Sequence, residues 1–508
     1  MPRWNMASTQ EILDDSADGQ DGCPFMFNRL PGHHQWIILV QICDRWRQIA
    51  LSTPQLWSVI YLDAPLFARE CCMDRVKAVP LHLRLSQPLF RHRKSTLLTE
   101  IIGSLNCVET IEFHLTDSDD LILCKGGYTI PSVAHVLRSL RILVDSRNDG
   151  IQFLQRLKDC SFPAISTLEL VDCVARIPDC LLAPTLTKLT LRVQRNTHQS
   201  VDFTAFVQLL SHMSRLEVLQ LEGMQLSRND DKLLANISTV TLPNLHQIVF
   251  SANYPSSELD YLALFNLLNI PSILKCTFTF LSHTVLENIT SVFRVLLEHL
   301  HAFDLRTLLL QSLNHECTFG FGQGSLDIPN SENVLGLISE ALCLQICLRH
   351  SVSKSTWDDF LGKLKLEGLQ TLVLRDLTWG PCCHPDIGMV WEYMVPQCPD
   401  LKELSVMGDR AQELVKSLLN SQIVLSELQT ISFSSVGRYD DGNVEQGRFM
   451  EDVLSLLTYR LTTNIPLQKV TLRECRNVDE WDVEELMSIG ICVEWDRYQT
   501  EDMYIIQV

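Results

Sequence analysis

The residues of this chain that could do chemistry do not stand at the spacings chemistry needs. Cys382-Cys383-His384, just after Trp379-Gly-Pro, offers thiolate and imidazole ligands. Zinc sites, however, pair two C-x₂₋₄-C elements; adjacent cysteines do not easily converge on one metal, and no second pair lies at a familiar distance. His315-Glu316-Cys317 lacks the second histidine of H-E-x-x-H. Gly320-Phe-Gly-Gln-Gly324 lacks the Lys-Ser/Thr of a phosphate-binding loop and reads as a loop tip at a repeat junction. There is no G-x-S-x-G element for a hydrolase. Asp119-Asp120 and Asp440-Asp441 sit in turn-like polar runs, and Arg91 to Lys94 (RHRK) reads as a solvated loop. The chain is therefore expected to be no enzyme and to hold no metal and no cofactor.

Composition narrows the remaining choices. The 508 residues are 46% hydrophobic and 20% charged, enough apolar material for a substantial core. Lys plus Arg is 42 against 61 Asp plus Glu, a net charge of −19 that would repel phosphate backbones, so no nucleic-acid partner is expected. Eighteen cysteines are dispersed, most of them in apolar patterns, as for reduced thiols that pack as small hydrophobes. The first residues lack the apolar centre of a signal peptide, and no run reaches the roughly eighteen apolar residues that cross a bilayer. The expectation is an intracellular protein, cytoplasmic or nuclear, with no membrane partner.

The elements that would position any site are set by a repeat. From about residue 75 the pattern L-x-x-L-x-L returns with other apolar residues substituting. It runs Pro80-Leu83-Leu85, Val108-Ile111-Phe113, Leu137-Leu140-Ile142, Ile165-Leu168-Leu170, Leu186-Leu189-Leu191, Leu216-Leu219-Leu221 and Leu245-Ile248-Phe250. The first positions step by 28, 29, 28, 21, 30 and 29 residues. Looser copies follow at Leu274–Phe280, Leu305-Leu308-Leu310 and Ala341–Leu348, then clear ones at Leu369-Leu372-Leu374, Leu401-Leu404-Val406, Leu428-Ile431-Phe433 and Leu467-Val470-Leu472. Between them, apolar steps of three and four predict helices over 95–105, 151–160, 203–213, 259–268, 283–300, 332–342, 411–420 and 449–461. Serines near several starts (Ser95, Ser257, Ser282, Ser331, Ser355) are expected to cap them.

A strand plus a helix cannot bury its apolar face alone, so neighbours must stack. This hexamer at a period near 29 resembles leucine-rich repeats. The resemblance implies an α/β fold: a solenoid with a curved parallel sheet inside and helices outside, over residues 63–508. A doubly wound α/β sheet is the competing architecture, but no glycine-rich first βα turn accompanies the pattern. Residues between the leucines alternate to the opposite face, where a partner could bind; the candidates are Arg192, Gln220, Glu222, Gln311, Arg375 and Arg473.

Before the repeats, Ile38, Ile42, Trp46 and Ile49 form one apolar helical stripe, and Ser52, Thr53 and Pro54 should end that helix. Leu56 and Trp57 follow as a hydrophobic plug. ICDRWRQIALSTPQLW, from Ile42 to Trp57, resembles the second half of the F-box in fungal F-box proteins, where a VC-x-x-WR-x-IA helix runs into TP-x-LW. Residues 30–62 then form a partial F-box-like segment behind a flexible tail, 1–29, because the family's LP-x-EIL opening has only fragmentary counterparts at Gln10–Leu13 and Leu30-Pro31. The resemblance implies that Ile42, Cys43, Trp46, Ile49, Leu56 and Trp57 contact or support a Skp-family adaptor of a cullin-RING ligase. The chain would be the substrate-recognition subunit of a Skp–cullin–F-box ubiquitin ligase, holding a protein substrate on the concave repeat face. The alternative is a leucine-rich-repeat interaction scaffold with a vestigial F-box that recruits no ligase.

Overall fold

The computed structural model describes residues 43–61, 72–76, 79–85, 105–116, 131–145, 154–155, 157–174, 177–194, 200–227, 238–252, 255–269, 275–280, 306–313, 316–322, 342–348, 366, 368–375, 395–408, 411–420, 425–436, 449–463, 465, 467–475 and 478–497. The chain divides into two compact units: Met1–Ile60 with Ala64–Leu81, and Tyr61–Asp63 with His82–Val508.

In the first unit, α1 (Asp44–Ser52) ends where the sequence places its stop. Thr53 leaves the helical region ahead of Pro54, which opens a 3₁₀ turn, Pro54–Trp57. The hydroxyls of Ser52 and Thr53 both donate back to Ile49 O, at 3.0 and 2.7 Å, satisfying a carbonyl the helix end leaves open. A short strand, β1 (Val59–Tyr61), follows.

The second unit is mixed α/β, built on a large and mostly parallel sheet. Its strands and helices in chain order are β2 (Leu81–Leu85), β3 (Val108–Thr116), β4 (Ser139–Asp145), β5 (Thr167–Val171), β6 (Lys188–Arg192), β7 (Ser200–Asp202), α2 (Phe203–Ser211), β8 (Val218–Glu222), β9 (Gln225–Ser227), β10 (Val240–Thr241), β11 (Gln247–Ser251), α3 (Pro255–Leu267), β12 (Leu268–Asn269) and β13 (Lys275–Phe280). After these come β14 (Thr307–Leu313), β15 (Glu316–Gly322), β16 (Leu342–Leu348), β17 (Thr371–Arg375), β18 (Glu403–Met407), α4 (Ala411–Asn420), β19 (Thr430–Ser434), α5 (Phe449–Thr462), β20 (Lys469–Arg473), α6 (Glu480–Ser488) and β21 (Cys492–Trp495).

Every hexamer read from the sequence contains a strand. From β3 through β4, β5, β6, β8 and β11 to β13 each strand pairs in parallel with the next. Strand order thus follows chain order across this arm, without the reversal a doubly wound sheet requires. Register carries the apolar positions straight across: Ile111 meets Leu140, then Leu168, Leu189, Leu219 and Ile248. These side chains are all buried. Helix α3 packs its Tyr261 and Phe265 on this surface, Tyr261 stacked on Phe250 and Phe265 edge-on to Phe278, with the Tyr261 hydroxyl donating to Met224 O at 2.8 Å. Two small parallel pairs, β7–β9 and β10–β12, accompany the helices.

The middle departs from a simple array. β16 pairs in parallel with β13, β15 runs antiparallel between β16 and β14, and β14 pairs in parallel with β17. The strands at Leu308 and Leu344 are therefore exchanged in space relative to chain order, with a third strand between them. That strand contains Gly320, Phe321 and Gly322, so the expected loop tip is corrected. Backbone pairing explains it: Phe321, buried, is in register with the buried Leu308 on one side and with Leu344 on the other, and Gly320 is in register with Leu309 and Gln345. Beyond it, β17, β18, β19, β20 and β21 resume parallel pairing in order.

Four expected helices are found at 203–211, 255–267, 411–420 and 449–462. Of the helix expected over 151–160, the described residues show helix at 154–155 and a 3₁₀ turn, Leu157–Asp159. Cys160 N closes that turn on Leu157 O at 2.9 Å, and Pro163 lies three residues beyond. Those over 95–105, 283–300 and 332–342 lie almost wholly outside the described residues. Two helices carry aspartate caps: Asp202 accepts from Ala205 N at 2.8 Å, and Asp479 with Asp482 forms a capping box. Of the serines expected as caps, Ser257 sits inside α3 behind Pro255, and the other four are outside the described residues.

A further repeat position emerges where strands end. Asp172 and Glu474 adopt positive φ (58° and 49°) directly after β5 and β20, and the next residue is a buried cysteine in each case. The Cys173 and Cys475 thiols point back to Ile142 O and Phe433 O of the preceding strands, at 3.8 and 3.6 Å. Burial raises both thiols, Cys475 to about 11.

Candidate functional site

Two surfaces carry the candidate residues. The first is α1 with its 3₁₀ turn. Trp57 is 6% exposed and fixed at both ends of its indole: Nε1–H donates to Ala50 O at 2.8 Å, and the Arg75 guanidinium carbon lies 4.5 Å from the ring centroid. Ala50 is buried with it. The rest of the apolar material in this stretch faces solvent. Trp46 is 48% exposed, Ile49 43%, Leu51 41% and Leu56 36%, and Cys43 is also exposed. The candidate set therefore divides by role: Trp57 is an anchor, whereas Cys43, Trp46, Ile49 and Leu56 form a surface. Ile42 lies outside the described residues. Along α1, Asp44 pairs with Arg47 at 2.7 Å, leaving a polar flank beside the apolar stripe.

The second surface is the sheet face opposite the leucines. Arg192, Gln220 and Glu222 come together there: Arg192 Nε is 3.2 Å from Glu222, the Gln220 amide donates to Glu222, and Thr190 donates to Gln220 at 3.5 Å. Arg375 and Arg473 form a separate group. Each ends its strand, in the register row Arg375, Met407, Ser434, Arg473. Gln311 stands next to Arg375 in that row by backbone pairing. Five strand steps separate β8 from β14, roughly 24 Å at about 4.8 Å each, so the six candidates make two places and not one. Near the second group, Lys469 binds Glu494 at 2.7 Å and lowers its carboxyl pKa through that hydrogen bond.

Comparison with protein-family models and with curated proteins finds no match to this chain.

The first group belongs to a longer network. Arg84 pairs with Glu112 at 3.2 Å, Glu112 with Arg141 at 2.6 Å, and Arg141 with Glu169 at 3.2 Å; Glu169 reaches Arg192 at 3.9 Å. Arg84, Glu112 and Arg141 were not among the candidates read from sequence. The signal was present, since each occupies the residue between the last two apolar positions of its hexamer, as Glu169 does: Leu83-Arg84-Leu85, Ile111-Glu112-Phe113, Leu140-Arg141-Ile142, Leu168-Glu169-Leu170. Read down that column, the sign alternates strand by strand.

Among the described residues no cluster of three His, Cys, Asp or Glu side chains is placed to hold a metal. Cys382-Cys383-His384, His315, Asp119-Asp120, Asp440-Asp441 and Arg91 to Lys94 lie outside the described residues. No helix among the described residues is long and apolar enough to cross a membrane.

Proposed function

We propose that this chain is a non-enzymatic receptor: its first unit docks on a Skp-family adaptor of a cullin-RING ubiquitin ligase, and its strand-rich unit, read as a leucine-rich-repeat solenoid, presents a protein substrate. The observation that carries the reading is the exposure of Trp46, Ile49, Leu51 and Leu56 within eleven residues, beside an anchored Trp57. Burying such side chains fully is worth about 1.5–3 kcal/mol each, so a cluster of them held in water marks a surface that another molecule covers. The residue order around them resembles the F-box. Parallel strands in register, with a thiol turned back at the end of β5 and of β20, support the repeat reading. Such a receptor makes and breaks no bonds; it raises the effective concentration of substrate near a ubiquitin-charged enzyme held elsewhere in the assembly.

Co-expression of the full chain with a Skp-family adaptor tests this. The wild-type chain should co-purify with the adaptor, and Trp46→Ala should weaken capture at least about tenfold with an unchanged unfolding profile, because Trp46 contributes to a surface and not to a core. If the folded wild-type chain captures no adaptor, the ligase role falls. The sheet face alone would then support the second reading, an interaction scaffold that recruits no ligase.

A further inference from the structure

The charged row is not needed to make the strands pair. Following the register from Glu169 across the same row, the residues become Thr190, Gln220, Val249 and Thr277; in the far arm they are Val373, Ser405, Ser432 and Thr471, with a single charge, Glu494, on the last strand. The strands from Thr190 to Thr277 and from Val373 to Thr471 pair in the same parallel fashion with neutral residues. Charge is therefore concentrated at Arg84, Glu112, Arg141 and Glu169 for a reason other than sheet formation. The four side chains are between 16% and 43% exposed, so each stays partly open to solvent after pairing with its neighbours. The row sums to zero charge within a chain of −19, so it repels neither sign.

We propose that this row is a docking strip for an α-helix of a protein partner whose facing stripe carries acidic and basic residues in alternation. Spacing selects the helix. Charges along the row follow the strand separation, about 4.8 Å. Residues at alternate three- and four-residue steps on a helix advance about 5.2 Å each, so over three steps the mismatch is only about 1.4 Å, within the reach of long side chains. Same-face residues of an extended chain advance about 6.6 Å, and over three steps they slip more than a whole strand, setting like charge against like. Nucleic acid carries one sign and would meet two carboxylates. The full row spans about 14 Å, the length of roughly ten helical residues. This deepens the substrate half of the proposed function and is independent of adaptor capture: a chain that captured no adaptor would still be expected to bind such a helix.

The test uses three labelled synthetic peptides of identical composition and the intact chain, with binding read by fluorescence anisotropy at low and at physiological salt. The first is a capped helix with Lys and Glu alternating along one stripe; the second has that stripe segregated into a Lys half and a Glu half. The third is the alternating peptide with its central residues reordered to place a proline in mid-sequence, the other two carrying that proline at the first helical position. The alternating helix should bind at least about tenfold tighter than both others, with the advantage shrinking as salt rises. The double substitution Glu112→Gln with Arg141→Gln, which imitates the neutral residues of later strands, should erase the preference while leaving the circular dichroism spectrum intact. Equal binding of alternating and segregated peptides to the wild-type chain overturns the docking strip, whatever the variant does. Equal binding of the proline-broken peptide overturns the helical partner.

Discussion

Trp57→Phe asks whether a single indole fixes the exposed stretch of the first unit. Phenylalanine keeps an aromatic ring in the site but lacks the N–H that reaches Ala50 O at 2.8 Å. That carbonyl retains a long bond from Thr53 N, 3.3 Å, so the loss falls at the lower end of the range for an abandoned buried acceptor, about 1 kcal/mol. The smaller ring leaves about 40 Å³ unfilled, which adds about 1 kcal/mol at roughly 24 cal/mol per Å³. A benzene face under the half-buried Arg75 guanidinium gives up a further few tenths of a kcal/mol. The sum, about 2–3 kcal/mol, corresponds to a 30- to 150-fold larger opening equilibrium. Amide hydrogen exchange over residues 44–57, read by mass spectrometry, measures it directly, with β17 to β20 as an internal reference. Acceleration below about fivefold in α1 would refute the anchor. Equal acceleration in the reference strands would show that the perturbation is not local.

Two further outcomes bear on the core of the second unit. Arg460, buried on α5, donates through Nη2 to Leu425 O at 2.9 Å and Leu428 O at 3.2 Å, tying the helix to the turn before β19. Burial lowers its pKa, a sign of desolvation cost, but removing it leaves those carbonyls without their charged donor. Arg460→Met should therefore destabilise by about 2–4 kcal/mol in urea unfolding, and a more stable variant would refute the fastening role. Burial also holds the Cys475 thiol up to about 11 against an ordinary value of 9.0. The folded state prefers the neutral thiol, so this contribution is complete below pH 9 and is lost as pH rises through 11; over that interval the wild-type chain should lose about 2–3 kcal/mol more than Cys475→Ala, measured by urea unfolding at each pH.

The strands were legible because a buried parallel sheet imposes one repeating requirement, and Leu168, Leu189 and Leu219 each meet it at the same position of the hexamer. Helices with a wide apolar stripe, such as Ala411–Asn420, were legible for a similar reason. What escaped the pattern depends on partners distant in sequence. Gly320-Phe-Gly reads as a turn because glycine permits one; it is a strand because its backbone pairs with β14 and β16 on either side. Cysteine in an apolar pattern, as at Cys173, reads as a small hydrophobe, and the chain reversal after β5 and β20, which turns the Cys173 and Cys475 thiols back to a carbonyl, is not visible in composition. In the candidate surface, apolar periodicity identified Trp46 and Ile49 but could not say which face is covered, since a stripe facing a core and a stripe facing a partner have the same spacing.

The exchange of β14 and β16 bears on what the sheet can bind. Placing β15 antiparallel between them puts Gly320 in register with Leu309, six strand steps from Glu169 of the first arm and three from Ser405 of the second. A helix laid along Arg84 to Glu169 ends roughly ten residues later, whereas the Arg375 row begins many strand steps beyond. One short helix therefore does not reach both candidate groups. A partner engaging both arms must supply two segments, and the row that alternates in charge in the first arm constrains the order of its residues more tightly than the same row in the second, which holds Ser405, Ser432 and Thr471.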